Sequence, residues 1–401
     1  MYAGHRGRSH VLALSILLVT LLVLPASISA GTLTFTQTKT NGSVNLAPGL
    51  ALAGLGVAPS PRLSPAMAFY PPGQDIILFG GQTSLPGVSP ATYSNETWEF
   101  SDGTWDLLHP VSSPSNRSGA AMTWDALDGY MLLFGGVRTT GSGVQYALND
   151  TWKFSQGNWT NITPIHSPSP RYDAAILYSG YITMHDFVVI FGGATCSGAP
   201  ACALGDTWRF NAGAWSQVGA CGGPSQLGCG STAPSPRSSA TFAWAGYYPD
   251  GGYVAGRRAV LFGGLSGSGT VLGDSWWYKA GRWFNWTQDF PQLPPARAGA
   301  GLAPANTTQE VNMRFLLFGG TSATGVGLND TWHFGQFSGW ANSTRSRTES
   351  PPVDAYFGMI WDAPMNGTIL FGGLSCSSTM TSSCTLLNET WDYTDGHWKQ
   401  L

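Results

Sequence analysis

Five arginines and six carboxylates recur at fixed places along this chain, and their pairing is the first chemistry its residues offer. The arginines close the segments Pro59-Ser-Pro-Arg62, Pro114-Ser-Asn-Arg117, Pro168-Ser-Pro-Arg171, Pro234-Ser-Pro-Arg237 and Pro294-Pro-Ala-Arg297. The carboxylates are Glu96, Asp150, Asp206, Asp274, Asp330 and Glu389, each followed by Thr-Trp or Ser-Trp. A planar guanidinium engages such a group through two parallel hydrogen bonds. Arginines gathered around an axis would hold an anion, but buried charges are normally paired, so structural ion pairs are the stronger reading. The sixth copy reads Ser350-Pro-Pro-Val-Asp354 and lacks the arginine. Glu389 is therefore expected to stand without that partner.

The six cysteines form three close pairs, Cys196 with Cys202, Cys221 with Cys229 and Cys376 with Cys384. Six thiols allow fifteen connectivities, and local pairing within each loop is the simplest of them. Zinc is the competing chemistry. It is disfavoured because no His lies near these cysteines and the spacings are not those of ligands. Catalysis finds little support. The histidines, His5, His10, His109, His166, His185, His333 and His397, are scattered without metal spacing. There is no Gly-x-Ser-x-Gly elbow and no phosphate loop. Ser101-Asp102-Gly103-Thr104-Trp105 resembles an Asp-box only faintly and does not recur. A site assembled from separated residues such as Asp173, His185 and Asp186 stays open, but no catalytic residue, metal or cofactor is expected.

These residues are positioned by a repeat. Phe-Gly-Gly occurs at Gly80-Gly81, Gly135-Gly136, Gly192-Gly193, Gly263-Gly264, Gly319-Gly320 and Gly372-Gly373, at steps of 53 to 71 residues. A Trp follows each carboxylate, at Trp98, Trp152, Trp208, Trp276, Trp332 and Trp391. A further Trp follows at 105, 159, 215, 283, 340 and 398, so two places in the repeat hold twelve of the seventeen tryptophans. The period suits a four-stranded propeller blade. With 53 Gly and 26 Pro, the chain is punctuated too often for helices, and the expectation is all-β. In the second unit the strands are expected at 120–124, 130–134, 151–154 and 159–162. Apolar runs such as Leu132-Leu133-Phe134 would be buried on both faces. The glycines would supply positive φ or close backbone approach.

Hydrophobic run, Gly-Gly, aromatic and then Trp resembles the kelch pattern. The resemblance implies a six-bladed kelch-type β-propeller, like the central domain of galactose oxidase, over residues 58–401. Blade limits are expected near 58–112, 113–166, 167–232, 233–292, 293–349 and 350–401. Thr-Trp stands where kelch repeats usually carry Tyr, a variant that resembles secreted prokaryotic kelch proteins. Copper radical oxidases share the propeller, but they need a Tyr cross-linked to Cys with two His and another Tyr, and here the cysteines are committed to pairs.

In such blades the connection between strands two and three and the connection to the next blade emerge on one face. The longest connections, 82–94, 137–148, 265–272 and 321–328, fall there with the three cysteine pairs, whereas turns such as Asp102-Gly103 are minimal. Braced loops on a rigid scaffold suit binding, with Tyr93, Arg138 and Tyr146 as exposed candidates. The alternative is that these loops are tolerated insertions braced against proteolysis.

Arg6 and Arg8 precede an apolar run from Val11 to Leu24, then Pro25 and small residues to Ala30. This pattern predicts a signal peptide over 1–30, cleaved after Ala30, because the apolar core is shorter than the roughly 20 residues of a spanning helix. An uncleaved anchor is the alternative. Residues 31–57 form an N-terminal segment in which 32–40 is expected to add an edge strand that locks the ring, or else to serve as a stalk. Sequons at Asn41, Asn95, Asn116, Asn149, Asn158, Asn161, Asn285, Asn306, Asn329, Asn342, Asn366 and Asn388 agree with export. Of these, the loop sites Asn116 and Asn306 are expected to be modified first. A net charge of -3, with 19 basic and 22 acidic residues, leaves no basic footprint for nucleic acid. The expected protein is a secreted or surface-held monomer without a span in its mature chain, binding an extracellular protein or glycan. Two other classes remain: an extracellular carbohydrate-active enzyme using the central channel, and a structural envelope component without a discrete ligand.

Overall fold

The computed structural model describes residues 58–179, 187–196, 202–218, 233–244, 259–279, 281–305, 314–335, 338–344, 350–352, 354–376 and 384–401. The expected signal peptide and the 31–57 segment lie outside them, as do His185, Asp186 and Asn306. Cys221 and Cys229 also lie outside the described residues, so the bridge expected between them remains a reading of the sequence. The described residues make six four-stranded antiparallel blades. Blade one comprises Ala66–Tyr70, Asp75–Phe79, Thr97–Ser101 and Thr104–Leu108. Blade two comprises Ala121–Asp125, Tyr130–Phe134, Thr151–Ser155 and Asn158–Asn161, and blade three Ala175–Ser179, Phe187–Phe191, Thr207–Asn211 and Ala214–Val218. Blade four holds Thr241–Trp244, Ala259–Ser266, Val271–Lys279 and Arg282–Asn285, with Arg237–Ser238 as an extra short strand. Blade five holds Gly301–Pro304, Arg314–Phe318, Thr331–Gly335 and Gly339–Asn342, and blade six Gly358–Asp362, Gly367–Phe371, Thr390–Thr394 and His397–Gln400. First strands of successive blades lie side by side, and Gly358–Asp362 lies beside Ala66–Tyr70, so the ring closes.

The expected strands of blade two are found, with the first and the fourth each displaced by one residue, to 121–125 and 158–161. Asp125 extends the first because it pairs with Tyr130 across the turn while its carboxylate accepts the Leu127 and Asp128 amides. Second strands such as Asp75–Phe79 and Phe187–Phe191 are buried throughout, as sheets covered on both faces require. The minimal turns are also as expected. Asp102-Gly103 and Gln156-Gly157 both take positive φ at both residues, the hairpin geometry that matches strand twist.

Buried apolar side chains segregate into six clusters, one for each seam between blades. The second tryptophan of each unit bridges its seam. Trp105, Trp159, Trp215, Trp283, Trp340 and Trp398 each donate an indole N–H, at 2.9–3.2 Å, to the Thr or Ser just before the first Trp in the third strand of the preceding blade. Blade one makes this bond to Thr390 of blade six, so the closing seam repeats the other five.

The glycine pair explains how adjacent blades come so close. Gly192 has φ +67, and a Cβ there would meet the Arg237 carbonyl oxygen at 2.5 Å. Gly193, at φ +98, donates its amide to the same carbonyl at 2.9 Å. Both reasons for glycine, positive φ and close approach, operate together here.

All five arginines are fully buried and paired within their own blades. Arg171 grips Asp206 with both terminal nitrogens, at 2.7 and 2.9 Å, and also donates to the Gly192 carbonyl and to Ser169. Arg117, Arg237 and Arg297 grip Asp150, Asp274 and Asp330 in the same way. Arg62 meets Glu96 through one nitrogen at 2.7 Å. Each carboxylate also accepts the indole N–H of the Trp two residues on. In blade six Glu389 keeps that indole bond, from Trp391 at 2.9 Å, and the arginine's place in the chain is held by the fully buried Asp354.

Candidate functional site

The two faces of the propeller are built differently. On one, the second-to-third connection of every blade leaves the glycine pair as a narrow antiparallel hairpin. Short ladders form at Val137–Thr139 with Gln145–Ala147 and at Leu374–Cys376 with Cys384–Leu386. In blade four the second and third strands themselves run on past the glycines. Single bridges Gln82↔Tyr93, Ala194↔Ala203 and Thr321↔Gly327 do the same in blades one, three and five. On the opposite face the fully described connections, such as Asp102-Gly103 and the first-to-second turns of blades one, two and six, are tight turns, whereas the first-to-second connections of blades three, four and five include residues outside the described ones.

Two of the hairpins are stapled. Cys196–Cys202 and Cys376–Cys384 are disulfides with Cα atoms 5.2 and 4.1 Å apart, and the second joins residues directly opposite each other. Both lie on the expected rim. The third expected staple, Cys221 to Cys229, falls outside the described residues, so the described rim carries two disulfides where the sequence reading has three.

The three expected rim residues are only partly brought together at the surface. Tyr146 is exposed, and the Arg138 guanidinium lies 6.0 Å from its ring centre. Arg138 itself is half-buried. Tyr93 corrects the expectation of exposure: it is 8% exposed. Its backbone bridges Gln82 and its hydroxyl accepts Gln145 Nε2 from the neighbouring hairpin at 2.9 Å. Thr139 Oγ1 also donates to the Ala91 carbonyl, so the loops of blades one and two clasp each other. Val88, Val144 and Tyr146 are exposed on this clasped pair. Among the sequons, access favours two repeat sites over Asn116, and Asn306 lies outside the described residues. Asn95 and Asn149 in the repeat are exposed, while Asn116 is half-buried with its amide donated to the Tyr93 carbonyl.

At the axis, on the same face, lies a feature that no sequence motif marks. The residue two places after each arginine, or after Asp354, is Ser64, Gly119, Asp173, Ser239, Gly299 or Tyr356, and all six have φ between +46° and +66°. Each donates its amide to the carbonyl of the one before it, at 2.6–2.9 Å, and Ser64 closes the circle on Tyr356. This ring lines a cavity of about 150 Å³. Asp173 is its acidic side chain, accepting Ser239 Oγ at 3.2 Å. Enclosed by protein yet reached by water from the cavity, its carboxyl is pushed up by burial to about 6. The Tyr356 hydroxyl is also raised by burial, and next by the Asp173 charge. Of the separated residues Asp173, His185 and Asp186, only Asp173 can be placed here.

Electrostatics sets the acid and alkaline limits of the scaffold. Burial alone would raise Asp150, Asp206, Asp274, Asp330 and Glu96, but hydrogen bonds and charge from the arginines outweigh it and hold all five below the usual range. A carboxylate depressed on folding contributes stability above its unfolded value that is lost as pH falls through its folded one. Burial instead lifts Asp173 and Asp362 to about 6 and, with Asp75 beside it, Glu99 to about 7. Groups raised in this way cost stability as pH climbs from their unfolded values through the folded ones. Stability is therefore expected to peak near roughly pH 4–5, just above ordinary carboxylate values, and to fall on both sides. Urea midpoints across that range check this. A plateau extending to neutral pH would contradict it.

Comparison with known proteins gives the same architecture. A family model described as the KLHDC2/KLHL20/DRC7 Kelch-repeats domain matches residues 51–248. An F-box/kelch-repeat protein of Arabidopsis thaliana is 26% identical over 299 residues, covering 68% of this chain and 54% of its own length. The chain thus spans about half the length of that curated relative. The solved structure of YjhT superposes with a TM-score of 0.56 at 13% identity, over 86% of this chain and 98% of that one. At such identity the likeness speaks for the fold alone. With six complete blades and the repeated glycine pairs, the fold is a six-bladed kelch-type β-propeller, a scaffold suited to protein binding. Among the described residues no helix is long and apolar enough to cross a membrane.

Proposed function

We propose that this chain is an exported binding or adhesion scaffold that meets a protein or glycan through the loop face of its propeller. The observation that carries this is the asymmetry of the two faces. All six second-to-third connections are hairpins on one side, two of them disulfide-braced, whereas the fully described connections on the other side are tight turns. Stiff loops lose little entropy on binding. Val88, Val144 and Tyr146, exposed on the clasped loops of blades one and two, supply apolar and aromatic contact.

The test is a glycan and surface-protein binding screen of the purified chain, run beside a Val144→Ser/Tyr146→Ala variant and a Leu127→Ser control on the opposite face. Loss of binding in the first alone supports the loop face. Equal loss in both, or in neither, rejects it. Export rests on residues 1–30 and is tested by sequencing the N-terminus of protein recovered from outside the cell, with Gly31 expected first.

The axial cavity favours a second reading, a carbohydrate-active enzyme. Glycoside hydrolysis ordinarily uses two carboxylates flanking the bond. The described cavity lining offers Asp173 alone, so the binding reading is preferred. Activity on a glycan that disappears in Asp173→Asn would reverse that preference.

A further inference from the structure

Blade six departs from the other five at one place, and the departure inverts a charge. In blades one to five a guanidinium sits between the carboxylate before Thr/Ser-Trp and the carbonyl of the first glycine, and its Nε also donates to the carbonyl two residues back, as Arg171 does to Asp206, Gly192 and Ser169. In blade six the equivalent oxygens belong to Glu389, Gly372 and Pro352, and Asp354 stands where the arginine would. Asp354 is 0% exposed, and neither of its carboxylate oxygens has a hydrogen-bond partner. The nearby Ala355 and Leu374 amides ease its burial only in part, because each is already donated to the other's carbonyl. Its carboxylate lies against Gly373, as the Arg62 stem lies against Gly81, so the side chain ends where the other five have a stem leading on to a guanidinium. A buried, unpartnered carboxylate next to a second carboxylate is costly without a cation.

We propose that blade six binds a cation, Ca²⁺, between Asp354 and Glu389, with the Gly372 and Pro352 carbonyls as further oxygen donors. The donor set is all oxygen with two negative charges, which suits a hard cation and offers no nitrogen or sulfur for zinc or copper. Glu389 is half-exposed and leaves room for water ligands. Ca²⁺ tolerates such an irregular shell better than Mg²⁺, which demands near-ideal octahedral geometry. Among the described residues no group of three or more His, Cys, Asp or Glu could hold a metal, so two carboxylates set the strength. The expected affinity is about 10⁻⁴–10⁻³ M, the range of extracellular calcium modules. The burial that lifts Asp354 well above the usual carboxyl range, with Glu389 adding to it, is the competing way to remove the charge, by protonation. The cation reading does not depend on the proposed binding role.

The experiment measures the unfolding midpoint of the full chain with EDTA, CaCl₂, MgCl₂ or NaCl at matched ionic strength. Alongside it runs Tb³⁺ luminescence excited through tryptophan, for which Trp391, bonded to Glu389, is the donor at the site. The expected result is a midpoint that rises and saturates with Ca²⁺ well before Mg²⁺, and Tb³⁺ emission displaced by Ca²⁺. Both should disappear in Glu389→Gln. Asp354→Arg, which restores the residue of the other blades, should keep the higher midpoint in EDTA and lose the Ca²⁺ response. If that variant does not fold, wild type and Glu389→Gln still decide the matter. A wild type indifferent to Ca²⁺, or a response unchanged in Glu389→Gln, overturns the proposal. So does a stability that falls with rising pH in wild type but not in Asp354→Asn, with no metal effect.

Discussion

Replacing Arg171 by Ala is expected to lower the stability of the propeller by about 3–5 kcal/mol, the cost of removing one partner of a buried ion pair. The pair's net worth is not the reason, since two desolvated charges often only break even against an apolar pair. What matters is what remains. Asp206 would lose both guanidinium bonds while keeping the Trp208 indole, and the Gly192 carbonyl and Ser169 would each lose donation. Arg171→Lys keeps a charge but not the fork, so it is expected to recover only part of the loss. Arg209→Ala, on an exposed side chain of the same blade, is expected to stay within about 0.5 kcal/mol. Urea unfolding followed by circular dichroism ranks the three. Equal losses for Arg171→Ala and Arg209→Ala would mean that the buried fork contributes nothing special.

The residues of that fork are legible in the sequence because they repeat. Five copies of Arg with six carboxylates, and six copies of each Trp, define the pairs and seams without coordinates. The axial ring is not legible, although its position is just as regular. Its members are Ser64, Gly119, Asp173, Ser239, Gly299 and Tyr356, and what they share is a positive φ two places after the arginine position rather than a residue type. Counting two from each arginine is the available signal. Tyr93 misleads for another reason. Its burial depends on Gln145 from the neighbouring blade's hairpin, and a contact between loops of different blades leaves no trace in either segment alone. The cysteine pairs within hairpins are easier, since Cys196 with Cys202 and Cys376 with Cys384 each close a short local loop. The same argument for Cys221 with Cys229 rests on spacing alone, because the connection that holds them lies outside the described residues. The odd Asp354 is visible as a break in the pattern, but only the fold shows that it is buried, unpartnered and beside the glycine pair.

Trp105→Ala tests how the ring is closed. Its side chain is 5% exposed, its ring centre lies 4.9 Å from those of Phe100 and of Phe371 in blade six, and its indole donates to Thr390 Oγ1 across the seam. Truncating a buried Trp costs about 3–5 kcal/mol, through lost transfer energy and the cavity left behind. Trp215 makes the same contacts two seams over, with Phe210, Phe134 and Thr151, and its truncation should cost the same to within about 1 kcal/mol. Kinetics should separate them. The Trp215 bond links residues 64 apart, whereas the Trp105 bond links residues 285 apart. The closing seam brings together the ends of the described chain, and the entropy of that loop is lost before its contacts form. It is expected to form late, so Trp105→Ala should chiefly speed unfolding while Trp215→Ala also slows folding. Denaturant-jump rates on both variants check this. A loss for Trp105→Ala well below that for Trp215→Ala would mean the closing seam has support beyond the described contacts.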